Sequence, residues 1–329
     1  MSIKSASGKL VHPLCAPPCD YITKPTIPLD MTLSELLVPL SKEAEAGVLA
    51  DIGTDHRRLD EDMEVIKEWM AGQTHLPPLD GFGGDNFIKA FLVASKNSLE
   101  KCKKKIDKYF TVRSQMPHIL QSRDPINVAA FRHTTVDKLR VMVTTTRKCD
   151  QNHFDPLAVV KRFISVTELR MRHEPVNGGD VFLFDGQNFC ASNITKFRPD
   201  FIYQITKLAQ DMFPTRLKKI IFINTPPLIA KATEKLVKPF LKKKIADRVS
   251  ASALLQHFPR HILPQDYGGD DMTLDQLSSA WMKEIEAKRE WFKNEAQRST
   301  DESKRPEQGS FPKEDIFGVV GSLRKLNID

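Results

Sequence analysis

Several residues of this chain have the types that metal sites use, but their spacing argues against such a site. His257 and His261 form the histidine pair nearest to metal-ligand spacing. Pro259 between them disfavours the helix that would place both imidazoles on one face. Cys15 and Cys19 have no second pair of ligands nearby in the sequence, which does not fit a structural zinc site. The sequence therefore predicts no bound metal.

Glycine and aspartate motifs are explained by turns rather than by catalysis. Residues 81–84 read Gly-Phe-Gly-Gly before a helical segment but follow no strand, so they do not fit a dinucleotide-binding loop. Asp185-Gly186 fits the end of a strand, and residues 266–269 (Asp-Tyr-Gly-Gly) fit a turn that needs the positive φ of glycine. The sequence has no G-x-S-x-G motif and no phosphate-cradling loop. It predicts a protein that is not an enzyme, with no catalytic residue and no cofactor.

Basic residues point to a different chemistry, the attraction of anionic groups. The net charge is +7, and much of it lies in residues 101–108 and 242–248. Lys244 and Arg248 are four residues apart, which predicts one face of a helix. The residues between these charges are aliphatic and periodic, not stacking aromatics, so an anionic lipid surface is favoured over nucleic acid, at about 1 kcal/mol per basic residue near headgroups. For residues 101–108, a solvated helix face is the alternative.

Residues 220–269 show which elements must position these groups. Residues 220–223 form a short unbroken apolar run, which is typical of a strand buried on both faces of a mostly parallel sheet. Two prolines, Pro226 and Pro227, end it. Residues 227–241 then alternate at helical spacing between an apolar side and a lysine side. This pattern predicts an apolar helix that covers the sheet and carries a basic rim.

Three motifs in this stretch resemble those of the CRAL-TRIO lipid-binding family, most of all its tocopherol-transfer and retinaldehyde-binding branches. They are the strand ending in I-N-x-P, the segment K-P-F-L-x-x-K-I-x-x-R, and I-L-P-x-x-Y-G-G. Upstream, residues 181–186 (VFLFDG) are similar to the family's strand ending in F-D-x-x-G. The resemblance covers roughly residues 59–281. It implies an α/β fold: a small amino-terminal helical module, followed by a mostly parallel sheet with flanking helices that form a lipid pocket.

The resemblance also implies which residues line that pocket, whereas periodicity alone explains the same residues as ordinary core. The implied lining is apolar and comes from the sheet, the helices that flank it and the covering helix. Its members are Phe163, Val166, Phe182, Phe184, Ile205, Ile220, Phe222, Thr233, Leu236 and Phe240. Such walls hold one hydrophobic ligand with few polar anchors and do not identify it among retinoids, tocopherols, sterols and phospholipids.

A phosphoinositide site is the second implication of the resemblance. Lys244 and Arg248 match the K and R of K-I-x-x-R, and Arg216 falls near a basic position before the I-N-x-P strand. Charge-assisted hydrogen bonds from such residues favour phosphate. A solubilising basic surface is the alternative. The chain departs from the family at Ser95, where an arginine is expected, although Lys96 follows it.

Organisation along the chain follows from composition and periodicity. We predict a partly disordered extension over residues 1–58 and a helical module over 59–125. A lipid-binding domain over 138–281 and a carboxy-terminal helix and tail over 282–329 complete the chain. Within them, helices are predicted near 59–70, 86–95, 99–113, 156–172, 199–212 and 281–297, and strands at 141–145, 181–184 and 220–223. Alternation of strands and helices favours crossover units and a parallel sheet.

Composition sets the expected class of protein. Forty per cent of the 329 residues are hydrophobic, no run approaches the length that spans a bilayer, and residues 1–10 have no apolar signal region. The five scattered cysteines fit a reduced, cytoplasmic protein. We therefore expect an intracellular carrier that binds one hydrophobic lipid and exchanges it at membranes, where it associates transiently. A phosphoinositide-sensing interaction module without net lipid transfer is the alternative.

Overall fold

The structure is a computed structural model, and it describes residues 31–79, 81–120, 128–146, 154–208, 212–227 and 246–306. Twelve α-helices lie in these ranges. They are α1 (Leu33–Leu36), α2 (Lys42–Ala50), α3 (His56–Ala71), α4 (Gly84–Ala94), α5 (Leu99–Gln115), α6 (Pro117–Leu120), α7 (Pro156–His173), α8 (Ala191–Ile194), α9 (Pro199–Lys207), α10 (Leu254–His257), α11 (Leu274–Ala287) and α12 (Arg289–Gln297). Short 3₁₀ turns occur at Ala251–Ala253, Arg260–Ile262, Gln265–Tyr267 and Glu302–Lys304.

Five strands form one sheet in the order β1-β2-β3-β4-β5. They are β1 (Val128–Ala130), β2 (Leu139–Thr145), β3 (Gly179–Asp185), β4 (Leu217–Ile223) and β5 (Ala246–Arg248). The strand β1 is antiparallel to β2, and the other three pairs are parallel. The predicted fold class, a helical module followed by a mostly parallel sheet with flanking helices, is confirmed.

One face of the sheet is formed by fully buried apolar side chains. The side chains of Val141, Val181, Leu183 and Ile221 alternate toward this face and are 0–1% exposed. They share a core with the segment that follows β5, including Trp281, whose indole N–H donates to the carbonyl of Ala130 at 3.1 Å. Burial of such side chains stabilises the fold by about 1.5–3 kcal/mol each.

The helix α7 links the helical module to the other face of the sheet. Its first turn follows the sequence prediction: Asp155 is the N-cap, and its carboxylate accepts from the backbone N–H of Leu157 at 2.9 Å, with proline at the first helical position. One side of α7 packs on α4 and enters the core of the module. Near its other end, Arg170 pairs with Asp180 of β3 at 2.9 Å, and Glu174 pairs with Arg140 of β2 at 2.7 Å. The amino-terminal part of this sheet face is therefore tied to α7 by buried ion pairs.

The helical module is built by α3, α4 and α5 around aromatic residues. Phe87 and Phe91 of α4 lie 4.7 Å apart between ring centroids, and both contact Tyr109 of α5. Leu59 and Ile66 of α3 complete this core at 0–1% exposure. The predicted helices of residues 59–70, 86–95 and 99–113 are all present, with small differences at their ends.

Several elements differ from the sequence predictions. The helix predicted over residues 281–297 is two helices, α11 and α12, separated at Lys288. Residues 31–58, placed in the amino-terminal extension, contain α1, α2 and the start of α3. The sheet also begins with β1, ten residues before the predicted start of the lipid-binding domain at residue 138. The predicted covering helix of residues 227–241 falls on residues outside the described ranges, apart from Pro227.

Candidate functional site

Four of the predicted lining residues lie together on the second face of the sheet. Phe182 and Phe184 are alternate residues of β3, and they stand beside Ile220 and Phe222 of β4 in register. Ile220 is 9% exposed and the three phenylalanines are half-buried, whereas the opposite face is closed. The sheet therefore has one sealed face and one face on which large apolar side chains keep accessible surface.

Phenylalanine rings run across this face in two groups. Phe163 of α7 contacts Phe182 with ring centroids 4.7 Å apart, and Phe184 contacts Phe222 at 5.9 Å. Phe184 also contacts Phe189, at 5.5 Å, in the turn that follows β3. Edge-to-face and tilted ring pairs of this kind contribute about 0.5–1.5 kcal/mol each beyond the area they bury. The surface is apolar and aromatic.

Sequence reasoning missed three further rings, those of Phe154, Phe189 and Phe197. They pack against one another at centroid distances of 5.6, 5.8 and 6.1 Å, beside Phe184. All three lie outside the strands: before α7, before α8 and after α8. The sequence contained a signal for two of these rings. Phe154 adjoins the Asp155 cap, and Phe189 follows the end of β3, the end of a strand at which α/β proteins bind ligands.

The remaining predicted lining residues do not all join this surface. Val166 of α7 is 0% exposed inside the main core, so its side chain presents no surface to a ligand. Ile205 lies on α9 and is half-buried. Thr233, Leu236 and Phe240 fall outside the described residues.

The motifs that carry the family resemblance meet at one carboxylate. Asp185 ends β3 and is 0% exposed. Its Oδ1 accepts from the side-chain amide of Asn224 at 2.8 Å, and its Oδ2 accepts from the hydroxyl of Tyr267 at 2.9 Å. Asn224 follows β4 with a left-handed φ of 49°. Asp185 therefore joins the ends of β3 and β4 to the Tyr-Gly-Gly turn, a role in architecture and not in catalysis.

That turn depends on its glycines. Gly268 has a φ of 77°, a region that favours glycine. At Gly269 a β-carbon would stand 1.9 Å from the carbonyl oxygen of Leu263, a backbone atom that has no room to move. The sequence prediction of a glycine-dependent turn is confirmed.

Two of the predicted basic residues, Arg216 and Arg248, lie apart along the sheet. Arg216 lies just before β4, where its guanidinium donates to the carbonyl of Asn177 and its backbone N–H donates to Asp180 at 3.2 Å. Burial lowers the pKa of Arg216 despite the nearby Asp180 carboxylate. Arg248 is in β5 at the level of Phe222, six residues further along the direction of β4, which corresponds to about 20 Å at the rise of a strand. Arg216 and Arg248 therefore stand near opposite ends of the sheet.

Two further observations concern the predicted basic surface. The prediction that Lys244 and Arg248 share a helix face is wrong in its premise, because Ala246–Arg248 is a strand that pairs with β4; Lys244 itself lies outside the described residues. Ser95, where the family has an arginine, is 4% exposed at the end of α4. An arginine there would have to be accommodated in a buried position.

The described ranges contain no group of three or more histidine, cysteine or acidic residues that could hold a metal ion. His257 lies in α10 and His261 in the 3₁₀ turn that follows, so one helix does not carry both. Within the same ranges, no helix has the length and apolar character needed to cross a membrane.

The fold is that of an α/β protein with helices flanking a mostly parallel sheet, and sequence comparison gives the family. The model of the CRAL/TRIO domain matches residues 128–269, and the model "Pinta-like, UBA domain" matches residues 55–129. The chain belongs to the CRAL-TRIO family. The two matched segments correspond to the sheet domain and to the helical module before it.

Two curated relatives align with most of this chain at 23–25% identity. The alpha-tocopherol transfer protein-like protein of Mus musculus is 25% identical over 295 residues, which cover 82% of this chain and 85% of that protein. Clavesin-2 of Mus musculus is 23% identical over 256 residues, covering 72% and 77%. A 99-residue stretch is 31% identical to tyrosine-protein phosphatase non-receptor type 9 of Mus musculus, but spans only 16% of that protein.

Among solved structures, the crystal structure of Sfh5 aligns over 77% of this chain and 99% of that one, with 13% identity and a TM-score of 0.44.

Proposed function

We propose that this protein binds one hydrophobic lipid against the aromatic face of its sheet and exchanges it at membranes. The observation that carries the proposal is the difference between the two sheet faces. Core residues such as Val181 and Ile221 close one face, while Phe182, Phe184 and Phe222 keep accessible surface on the other. Large apolar side chains left partly exposed on one side of a sheet are typical of a ligand wall.

The comparisons support a carrier more than an enzyme. The relatives that align over most of their length include an alpha-tocopherol transfer protein-like protein, whose name describes transfer of a lipid. The phosphatase aligns over only 16% of its own chain, so its name gives no support for a phosphatase activity in this protein. We place the carrier in the cytoplasm with transient membrane association.

Native mass spectrometry of the purified full-length protein tests lipid binding. We expect one bound apolar species that organic solvent removes. The change Phe184→Asp should reduce occupancy at least about 100-fold, because an unpaired carboxylate on an apolar wall costs several kcal/mol. Val65→Asp is the matched control, since Val65 is 42% exposed on α3, away from the sheet. Equal occupancy of the two variants would contradict the proposal.

Recognition of phosphorylated headgroups is the finer part of the proposal. We assign it to Lys244 and Arg248, which match the family's basic motif. Arg216 is a weaker contributor, because its guanidinium already binds the Asn177 carbonyl and it lies far from Arg248 along the sheet. Charge-assisted hydrogen bonds to phosphate supply the binding energy.

Sedimentation with phosphoinositide vesicles tests this assignment. Lys244→Ala/Arg248→Ala should weaken vesicle binding about tenfold or more, and the effect should shrink as salt rises, because exposed charges are screened over about 8 Å at physiological ionic strength. Lys101→Ala/Lys104→Ala, on the exposed part of α5, is the charge-matched control. Vesicle binding without measurable lipid transfer between vesicles would instead support a phosphoinositide-sensing module.

A further inference from the structure

One side of α3 leaves apolar side chains at the surface of the helical module. Val65 is 42% exposed, and Trp69 is half-buried. The two are four residues apart, so they are neighbours on one face of the helix. The opposite side of α3, with Met63 and Ile66, forms the core shared with α4 and α5, and Val65 has no place in that core. Its exposure therefore does not follow from the packing of the module.

Acidic residues surround this apolar pair. Glu61, Glu64 and Glu68 are exposed at spacings of three and four residues, on the same side of α3 as Val65. The first two pair with neighbouring cations of α3. Glu68 makes no ion pair within the part of the chain that the structure describes, and it lies in the last turn of α3, which has no basic residue. Because a helix has its negative end at the carboxyl terminus, this position favours a cation.

The carboxy-terminal segment runs beside the end of α3 where the described chain ends. The carbonyl of Lys304 accepts from the hydroxyl of Thr74 at 3.1 Å, three residues after the end of α3. Asp107 of α5 holds Arg305 through two hydrogen bonds of 2.8 Å. Val65 lies only about 9 Å along the helix from its end, at 1.5 Å per residue. The residues that follow position 306 therefore begin close to the exposed face of α3.

The sequence of that tail complements the face. Residues 316–328 contain two cations, Arg324 and Lys325, and no acidic residue. Their apolar members are Ile316, Phe317, Val319, Val320, Leu323, Leu326 and Ile328. Apolar side chains of this number are favoured by contact with another apolar surface. The tail thus supplies both groups that the face of α3 attracts, apolar side chains and positive charge.

We propose that residues 316–328 dock on the exposed face of α3. Their apolar side chains cover Val65 and Trp69, and the two cations lie at Glu68 and the negative end of the helix. The occupant is the protein's own tail because it starts beside this face, and a tethered segment has a high effective concentration. The contact extends the binding of the carboxy-terminal segment from α5 to α3, and it does not depend on lipid binding.

Photo-crosslinking in the full-length protein tests this contact. p-Benzoylphenylalanine replaces Val65 or, as a control of matched exposure, Leu255 on α10, which is 44% exposed. After irradiation of the dilute protein, trypsin releases residues 314–324 as one peptide, and tandem mass spectrometry identifies the crosslinked products. We expect at least about tenfold more tail crosslink from position 65 than from position 255, because tethering holds the docked segment at an effective concentration in the millimolar range.

Charge changes test the electrostatic part of the contact. Arg324→Glu/Lys325→Glu should lower the yield of tail crosslinks about five-fold or more, because attraction to Glu68 becomes repulsion. Adding Glu68→Lys to this variant should restore most of the yield. Arg289→Glu/Lys293→Glu, on the exposed side of α12, is the charge-matched control and should leave the yield unchanged. Circular dichroism confirms that each variant is folded, and the tail variant, changed only beyond residue 306, decides if Glu68→Lys does not fold.

The products separate the possible occupants of this face. A tail crosslink within one chain, at the mass of the monomer, supports the proposal. A tail crosslink found only at the mass of a dimer would assign the face to a second copy and overturn it. Equal yields from positions 65 and 255, or no tail product, would also overturn it. So would crosslinks to phospholipid when anionic vesicles are added, if no tail product forms without them.

Discussion

At the scale of single residues, Asp185 explains why distant motifs occur together in this sequence. Its carboxylate accepts from Asn224 after β4 and from Tyr267 in the turn before α11, and the bond to Tyr267 is buried. The buried hydroxyl of Tyr267 needs such an acceptor, whereas Asn224 is exposed and adds the link to β4. The Phe-Asp-Gly end of β3, the motif I-N-x-P and the Tyr-Gly-Gly turn are three parts of one hydrogen-bonded unit.

We predict that Asp185→Ala destabilises the protein by about 2–4 kcal/mol, because the buried hydroxyl of Tyr267 and the exposed amide of Asn224 lose a charged acceptor, and a hydrogen bond to a charged group contributes about 1.5–3 kcal/mol. Tyr267→Phe, which removes only one hydroxyl, should cost about 1–2 kcal/mol. Urea unfolding followed by circular dichroism measures both, and the double variant gives the coupling between the two residues. A loss below about 1 kcal/mol for Asp185→Ala would show that the unit is not structurally important.

At the scale of elements, the sequence predicts those whose pattern is local. Asp155-Pro156 marks the start of α7 because a cap and a first-turn proline act within a few residues. The strands β3 and β4 appear as apolar runs because both of their faces contact other side chains. In contrast, β1 and β5 are three residues long. Such short strands are defined by the neighbours they pair with, and no pattern within them shows this.

The same limit applies to the site. The family resemblance implies that Phe182, Phe184, Ile220 and Phe222 belong to one pocket wall, and the register of β3 with β4 places them on one face of the sheet. The triangle of Phe154, Phe189 and Phe197 is not predictable in this way, because loops bring the rings together through hydrogen bonds between distant segments. Val166 shows the converse: its helical position is correct, yet the rotation of α7 turns it into the core.

At the scale of the whole molecule, the carboxy-terminal segment joins the helical module to the sheet domain. Glu295 of α12 is 2% exposed and binds Arg172 of α7 at 2.6 Å; its backbone carbonyl accepts from Arg113 of α5. Arg113 also pairs with the buried Glu168 of α7. The α12 part of this buried charge network lies beyond residue 269, where the CRAL/TRIO match ends.

The chain continues this contact beyond α12. The backbone N–H of Asp301 donates to the carbonyl of His75 at 2.9 Å, and that of Thr300 donates to Phe110 at 3.3 Å. Arg305 then forms two hydrogen bonds of 2.8 Å with the carboxylate of Asp107 on α5. Residues 289–306, which we name the carboxy-terminal clasp, therefore bind the helical module along α5.

We predict that Glu295→Ala destabilises the protein by about 3–5 kcal/mol, because two buried guanidinium groups, those of Arg113 and Arg172, lose a charged or hydrogen-bonded neighbour in a site closed to water. The matched control is Glu290→Ala on the same helix, whose carboxylate pairs with Lys293 but is 77% exposed; its loss should stay below about 1 kcal/mol. Urea unfolding monitored by tryptophan fluorescence measures both variants, and one of the three tryptophans, Trp291, lies on α12 beside Arg172. Equal stability of the two variants would mean that the clasp only covers the module, whereas the expected difference would show that the clasp, together with α7, holds module and sheet domain in one folded unit.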